Sequence, residues 1–492
     1  MKKPLKIAVA AAIANIGLLH TTDALAGGTS FTEQGASGLG NSYAGMSSAA
    51  EDASVYYWNP AALTRFKRAE LVGGLLVAQL STPYTNSSTP PCENANFEKN
   101  NQAEQQAASR TPGTNCGTAN GTRVSGAPGQ RFERDRPARV AIPFNFAAIP
   151  LNERTVLGFG VSGSSGLIVR FPSDSPGRTQ AESTDLKVVR LSSGVGYKLT
   201  PTLSIGGAFG YERMFTSIRA RLNFRSAVSR SAAQQGLGAS EGLLQSQIGA
   251  NEEETSIRIT VYGWAVNGQI GGLWEPSERT RVGFGYRPKT TFENQGQLVI
   301  NQVPAALQEG GQLRAAVPPE QAVLLNNFQE VRQRITLPSE LNMSVFHSFT
   351  PKLDLMASWL REDFTDTEVK FTTADGAIIQ NPRQRFQVTN RYAIGGNYKY
   401  AKRLTLRAGF AQENSAIKDE DRLQSLPDND RTFFNIGARW KIDRSMNLDV
   451  GYQKIRFKEG IVGLNPQETD VVYNGKIKLD VDIIGIQLVD QF

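Results

Sequence analysis

The sequence predicts an all-β fold: a fourteen-stranded antiparallel transmembrane β-barrel of the bacterial outer membrane. Three observations carry the prediction. First, from Lys67 onward apolar and polar residues alternate in short stretches. Leu404, Leu406, Ala408 and Phe410 alternate with Thr405, Arg407 and Gly409, and Phe434, Ile436, Ala438 and Trp440 with Asn435, Gly437 and Arg439. Alternation puts one row on each face of a strand, a period that a soluble sandwich would share.

Second, the connectors separate the two cases. The stretches fall at 69–80, 139–150, 155–165, 186–200, 202–215, 257–274, 280–296, 333–349, 352–366, 385–400, 402–414, 430–442, 446–459 and 476–492. Every second connector is tight, as at Thr200-Pro201, Thr350-Pro351 and Asp443-Arg444-Ser445, whereas those near 81–138 and 216–256 are long. Short turns on one rim and long loops on the other are the pattern of an outer-membrane barrel. Third, Tyr197, Trp274, Phe349, Tyr398, Tyr400 and Trp440 all lie within three residues of a short turn. Such a row suits the headgroup layer at the periplasmic side.

The ends agree with export. Lys2, Lys3 and Lys6 precede an apolar run from Ile7 to Leu19, and Ala24-Leu25-Ala26 offers a small-x-small cleavage site, so residues 1–26 read as a signal peptide. Residues 27–66 form a Gly/Ala/Ser-rich segment without alternation, and residues 67–492 form the barrel. At the other end Phe492 follows Leu488, Ile486 and Ile484 in two-residue steps, interrupted by Asp490. A terminal aromatic on such a strand is expected to engage the barrel-assembly machinery. The strand itself must close against the first one, because an open sheet edge is untenable in lipid.

The formal charge of +7 falls to +5 once three lysines and Asp23 leave with residues 1–26. This basicity is spread along the chain and gives no nucleic-acid footprint. Neither a cofactor nor a metal site is expected. His347 is the one histidine after residue 26, and no nucleophile–histidine arrangement accompanies it. Gly158-x-Gly160-x-x-Gly163 matches a dinucleotide fingerprint in form but lies within a strand. Cys92 and Cys116 share one polar loop stretch, where they form a disulfide or remain two free thiols.

Four blocks carry a family resemblance. GLGNSYAGMSSAAEDASVYYWNPAALTRF at 38–66 contains Asn59-Pro60-Ala61; further blocks lie at 150–167, 337–359 and 427–453. Together they resemble the FadL/TodX family of long-chain fatty acid and hydrocarbon transporters. The resemblance implies that residues 27–66 are a hatch plugging the lumen, that a kinked third strand opens a gap in the wall, and that the protein acts passively, without enzyme chemistry. The implied partners are a hydrophobic small molecule and outer-membrane lipid, with the barrel acting as a monomer. A fatty acid, an aromatic or alkane hydrocarbon, and a structural or adhesive role without transport remain as readings, beside a water-filled porin.

Residue chemistry bears on that gap directly. Pro143 cannot donate a ladder hydrogen bond, and Gly158, Gly160, Gly163 and Gly166, with Ser164 and Ser165, weaken the neighbouring strand. Relief of crowding inside a plugged barrel would use the same glycines. In the loops, Pro318-Pro319-Glu320 could start a helix bearing Leu324, Leu325 and Phe328, and Ser240 could cap one bearing Leu243, Leu244 and Ile248. These form either a capture surface for amphiphiles or a lid.

Arg391, Arg407 and Arg439 share the lumen phase, where arginine forks would hold a ligand carboxylate or pair with the acids of the same phase, Glu340, Asp354, Asp449, Asp480 and Asp482. The phase slips near Gln453-Lys454 and Ile483-Ile484, which predicts bulges there. For the cysteines, mass spectrometry of non-reduced protein is expected to show Cys92 linked to Cys116; two alkylatable thiols would refute the bridge. Closing a loop of this size contributes at most about 3 kcal/mol, so the barrel should survive reduction.

Overall fold

A computed structural model describes residues 31–86, 130–132, 137–179, 181–224, 254–311, 327–374, 376, 378–380, 385–462 and 475–492. The signal-peptide residues, both cysteines, and Leu243, Leu244, Ile248, Leu324 and Leu325 lie outside these ranges.

The wall strands are β1 (Glu70–Ser81), β2 (Ala138–Pro150), β3 (Thr155–Arg170), β4 (Ser183–Lys198), β5 (Leu203–Asn223) and β6 (Glu254–Ser277). Three broken strands follow. β7 comprises Thr280–Arg287 and Thr290–Ile300, β8 comprises Phe328–Leu337 and Ser339–Thr350, and β9 comprises Leu353–Asp363 and Val369–Thr373. Pro288 and Pro338 sit at the first two breaks, where a residue without an N–H interrupts a ladder. The wall continues with β10 (Val388–Ala401), β11 (Leu404–Glu413), β12 (Arg431–Lys441), β13 (Met446–Phe457) and β14 (Asp480–Gln491).

Every wall pairing is antiparallel, and β14 closes on β1 in continuous register from Glu70↔Gln491 to Ser81↔Asp480. The barrel thus has fourteen strands and no free edge. Phe492 lies just past this seam, its N–H donating to Ala69 O at 2.9 Å. A small second sheet of Tyr84–Asn86, Arg131–Phe132, Gly460–Val462 and Gly475–Ile477 joins the segments above β1 and β13.

The polarity of the two faces inverts along the strands. In the lower, periplasmic part the outward side chains are apolar, as with Leu191 and Val195 on β4 or Met343 and Val345 on β8, while Arg190, Ser192, Asn342 and Ser344 are buried inside. Higher on the same strands Leu186 and Val188, or Val331 and Ile335, point into the lumen. Lys187 and Asp185, or Arg332 and Arg334, now face outward. Below, lipid surrounds the wall; above, water does, and the apolar rows follow the dry side.

This inversion corrects two sequence expectations. The β13–β14 register runs without a bulge from Met446↔Asp490 to Arg456↔Asp480. Its phase slips are the change of polarity, and Asp480 and Asp482 share the outward face of Ile484, Ile486 and Leu488, with Lys454 Nζ 2.9 Å from Asp482. Phe328, expected on a loop helix, opens β8 and is exposed. The alternation Phe328-Gln329-Glu330-Val331-Arg332 is a strand pattern, and its ladder to Val299 on β7 prevails over the helical spacing.

Besides the β8–β9 ladder, which skips from Ile335↔Val369 to Ser339↔Asp363 at the breaks of both strands, two wall ladders are interrupted. Between β2 and β3 the pairing ends at Asn145↔Val161, although β2 pairs with β1 as far as Ala138. Between β6 and β7 it skips from Tyr262↔Gln295 to Ile270↔Tyr286. Side chains close the second gap: Asn267 Nδ2 donates to Thr290 Oγ1 at 3.1 Å, and Asn294 packs on Gly263.

Candidate functional site

The hatch, residues 31–66 as described, fills the lower lumen with short turns. Ala36–Leu39 is one turn of α-helix, and Ala53–Tyr57 and Pro60–Arg65 are 3-10 helices. Asn59 caps the last of these, its Oδ1 accepting the Ala61 N–H at 3.0 Å. Pro60 at the first position forfeits no hydrogen bond. The Asn59 amide also donates to Ser47 O at 2.7 Å and to Gly272 O on β6 at 2.9 Å. Asn59, Pro60 and Ala61 therefore tie two hatch turns to the wall, where a Cβ on Gly206 would stand 2.4 Å from the Ala61 nitrogen.

Charges lock the hatch at the periplasmic side. Arg407 on β11 donates to Glu51 Oε2 at 2.7 Å and to Asp449 Oδ1 at 2.5 Å. Arg439 on β12 holds Asp449 with two bonds of 2.8 Å and reaches Asp52 Oδ2 at 3.1 Å. Gln487 bridges Asp449 and Asp52, and its Oε1 accepts the Ala36 N–H at 2.7 Å. A second lock lies across the lumen, where Arg287 donates to Tyr57 O at 3.0 Å and to Glu340 at 3.0 Å. The phase argument located Arg407, Arg439, Glu340 and Asp449 but missed Glu51 and Asp52. The adjacency of two acids in the middle of a Gly/Ala/Ser segment whose other charges, Glu33 and Arg65, lie near its ends was the available signal.

Arg391 on β10 differs from Arg407 and Arg439. It is 1% exposed, its guanidinium lies 4.4 Å from the Phe433 ring centre, and its nearest carboxylate contact is Glu413 at 3.8 Å. None of its three guanidinium nitrogens makes a hydrogen bond. In register it faces Leu360 on β9 and Glu413 on β11. Those strands then lead up to Phe364 and Ala416, part of an apolar upper lumen that also includes Leu167, Met214, Phe292 and Ile335.

The β3 residues lie beside the interrupted ladder. Gly158 and Gly160 remain paired with Ala148 and Phe146, whereas Gly163, Ser164, Ser165 and Gly166 lie beyond the last rung to β2. Ser164 is the extra residue of a bulge against β4. Pro143 stands on β2 just past that rung, still paired with Leu75 of β1. The start of the hatch covers this place from inside: Phe31 N–H donates to Ser164 O at 3.2 Å and Gln34 Nε2 to Gly163 O at 2.8 Å. Within the hatch, a cavity of about 40 Å³ lined by Asn41, Tyr43, Glu51 and Trp58 has room for water but not for a lipid.

A closed barrel with a plugged polar floor and an apolar upper lumen defines an outer-membrane transport barrel. The chain belongs to the outer membrane protein transport family OMPP1/FadL/TodX, whose model matches residues 17–492. It is 23% identical over 460 residues to outer membrane protein P1 of Haemophilus influenzae, covering 91% of each chain. It is 22% identical over 476 residues to the long-chain fatty acid transport protein of Escherichia coli K12, covering 92% of this chain and 94% of the other. Its fold is similar to that of a Pseudomonas aeruginosa FadL homologue, with TM-score 0.78 and 19% identity over 95% of this chain and all of the other. The toluene transporter TodX of Pseudomonas putida shares it with TM-score 0.60 and 17% identity, covering 90% and 94%. The protein is an outer-membrane transporter of hydrophobic compounds.

Asp449→Ala would leave Arg407 and Arg439 buried with a partner missing, and losing one side of a buried pair costs about 3 kcal/mol or more. The variant should keep a folded barrel while its hatch unseats at lower urea concentration, measured by thiol labelling of a cysteine introduced at Ser47.

Proposed function

We propose that this transporter takes up long-chain fatty acids, the acyl chain lying in the apolar upper lumen and the carboxylate meeting Arg391 at its floor. The observation that carries the reading is the Arg391 guanidinium, buried without a hydrogen bond beside strands that lead up to the apolar upper lumen. A buried donor left unmatched is costly, and a carboxylate accepts from an arginine fork in two places. Arg407 and Arg439 are already committed to the hatch, so of these three Arg391 is the one with all of its guanidinium donors to spare. Exposed loops would capture the amphiphile first, and hatch movement would let it pass.

The favoured exit is sideways, between β2 and β3 above Asn145↔Val161. Each CH₂ removed from water contributes about 0.8 kcal/mol, so an acyl chain is driven toward lipid and away from the periplasm. A second reading, uptake of aromatic or alkane hydrocarbons, draws on the upper lumen itself, where Phe292 and Phe364 need no headgroup partner.

Equilibrium binding of oleate and of p-xylene to purified protein separates the two. Arg391→Gln should weaken oleate binding by roughly tenfold or more, the scale of a charge-assisted hydrogen bond, and leave p-xylene unchanged. Equal oleate binding by wild type and variant would leave the hydrocarbon reading. For the route, a Cβ at Gly163 would stand 3.4 Å from Ile142 of β2, so Gly163→Val with Gly166→Val narrows the wall there. Cellular uptake at matched barrel abundance should fall while oleate binding persists; unchanged uptake through a wall seen to be sealed would exclude the lateral exit.

A further inference from the structure

We propose that the outer wall of β5 and β6 carries a binding site for the phosphate groups of the outer leaflet's glycolipid, lipopolysaccharide. On the outward face the two strands pair Arg213↔Trp264, Phe215↔Tyr262, Ser217↔Thr260 and Arg219↔Arg258 in ascending order. Trp274, at the periplasmic end of β6, is ten residues from Trp264. Ten residues are about 34 Å of strand, and a tilt near 40° reduces this to roughly the 25 Å height of an apolar band between two aromatic girdles. Trp264 and Tyr262 therefore mark the outer boundary of the lipid core. Arg213 stands at that boundary, its guanidinium 5.9 Å from the Tyr262 ring centre, and Arg219 and Arg258 stand above it.

Arg219 and Arg258 face each other directly across the ladder. Cross-strand neighbours have Cβ atoms about 5 Å apart, and like charges so placed are destabilising. Among the described residues, the acids nearby are committed elsewhere: Asp185 to Arg170, Glu182 to Arg221, Glu254 to Arg178 and Glu293 to Arg334. Among the described residues, Arg213, Arg219 and Arg258 have no carboxylate within ion-pair distance, and all three are exposed. An anion seated between the forks relieves the repulsion, and phosphate matches guanidinium geometry in two places. Below the arginines the same face presents Phe209, Val266 and Ile270, against which acyl chains of that lipid lie. The site thus takes a phosphate that is carried on an apolar anchor, and it is independent of the substrate in the lumen.

The test uses full-length protein in a neutral detergent, with bound lipid counted by native mass spectrometry. Bisphosphorylated Kdo2-lipid A should bind wild type at least roughly tenfold more tightly than its dephosphorylated counterpart. Arg219→Gln with Arg258→Gln should abolish that preference while heat-modifiable migration confirms a folded barrel. Equal binding of the two lipids by wild type would overturn the proposal without reference to any variant. So would an unchanged preference in the folded double variant, or displacement of lipid A by an equal concentration of inorganic phosphate, which would make the site one for free anions.

Discussion

The structure depends on backbone meeting backbone inside the barrel. Hatch peptide groups press against wall positions that have no side chain. A Cβ on Gly283 would stand 2.0 Å from Ser47 O, and one on Gly409 would stand 2.2 Å from the Asn41 carbonyl carbon. No rotamer choice relieves an overlap with main chain, so these positions exclude every residue but glycine. The close approach would bury hatch carbonyls without partners, and neighbouring lumen side chains answer for them. Gln269 donates to Tyr57 O at 2.8 Å, Ser358 to Tyr43 O at 3.2 Å and Arg281 to Ala49 O at 2.8 Å. A plug of short turns cannot satisfy its own peptide groups, and the wall does so in its place.

Much of this was legible in the sequence because its causes are local. Alternation, tight turns and the aromatic rim each act over a few residues, and they located all fourteen strands and the seam at Phe492. Asn59-Pro60 carried its own geometry, a cap followed by a helix-starting proline. The remainder depends on what lies across the lumen. Glycines on β5, β7 and β11 look like weak points in a strand until the hatch is placed against them. Arg391, Arg407 and Arg439 share one phase and one chemistry. Only the hatch acids Glu51 and Asp52, far away in the chain, distinguish the two that are hydrogen-bonded to the hatch from the one that makes no hydrogen bond.

The phase slip on β13 and β14 shows the same limit differently. Alternation reports which side of a strand is dry, not which side is inside. In a soluble sheet the two coincide. Here Lys454 and Asp482 face out and Ile455 and Ile483 are buried inward, because the strands have risen beyond the lipid and the only dry region left is the lumen. A reading that fixes the lumen as polar throughout must then invoke a bulge that the ladder does not contain.

Polarity inversion also has a consequence for anything travelling through the barrel. Above the crossover the inner surface is the better solvent for hydrocarbon; below it, the outer surface is. The wall therefore behaves like the boundary in a liquid–liquid extraction, with the two phases stacked on opposite sides and offset in height. A solute sorted only by partition coefficient would descend inside until its phase ends, and would find that phase again across the sheet. The interruption between β2 and β3 lies near that level, beside Arg190 and Leu191 on β4 where the faces exchange character. Transfer there would need neither a pump nor a voltage, and its direction would be set by how quickly the membrane beyond is emptied.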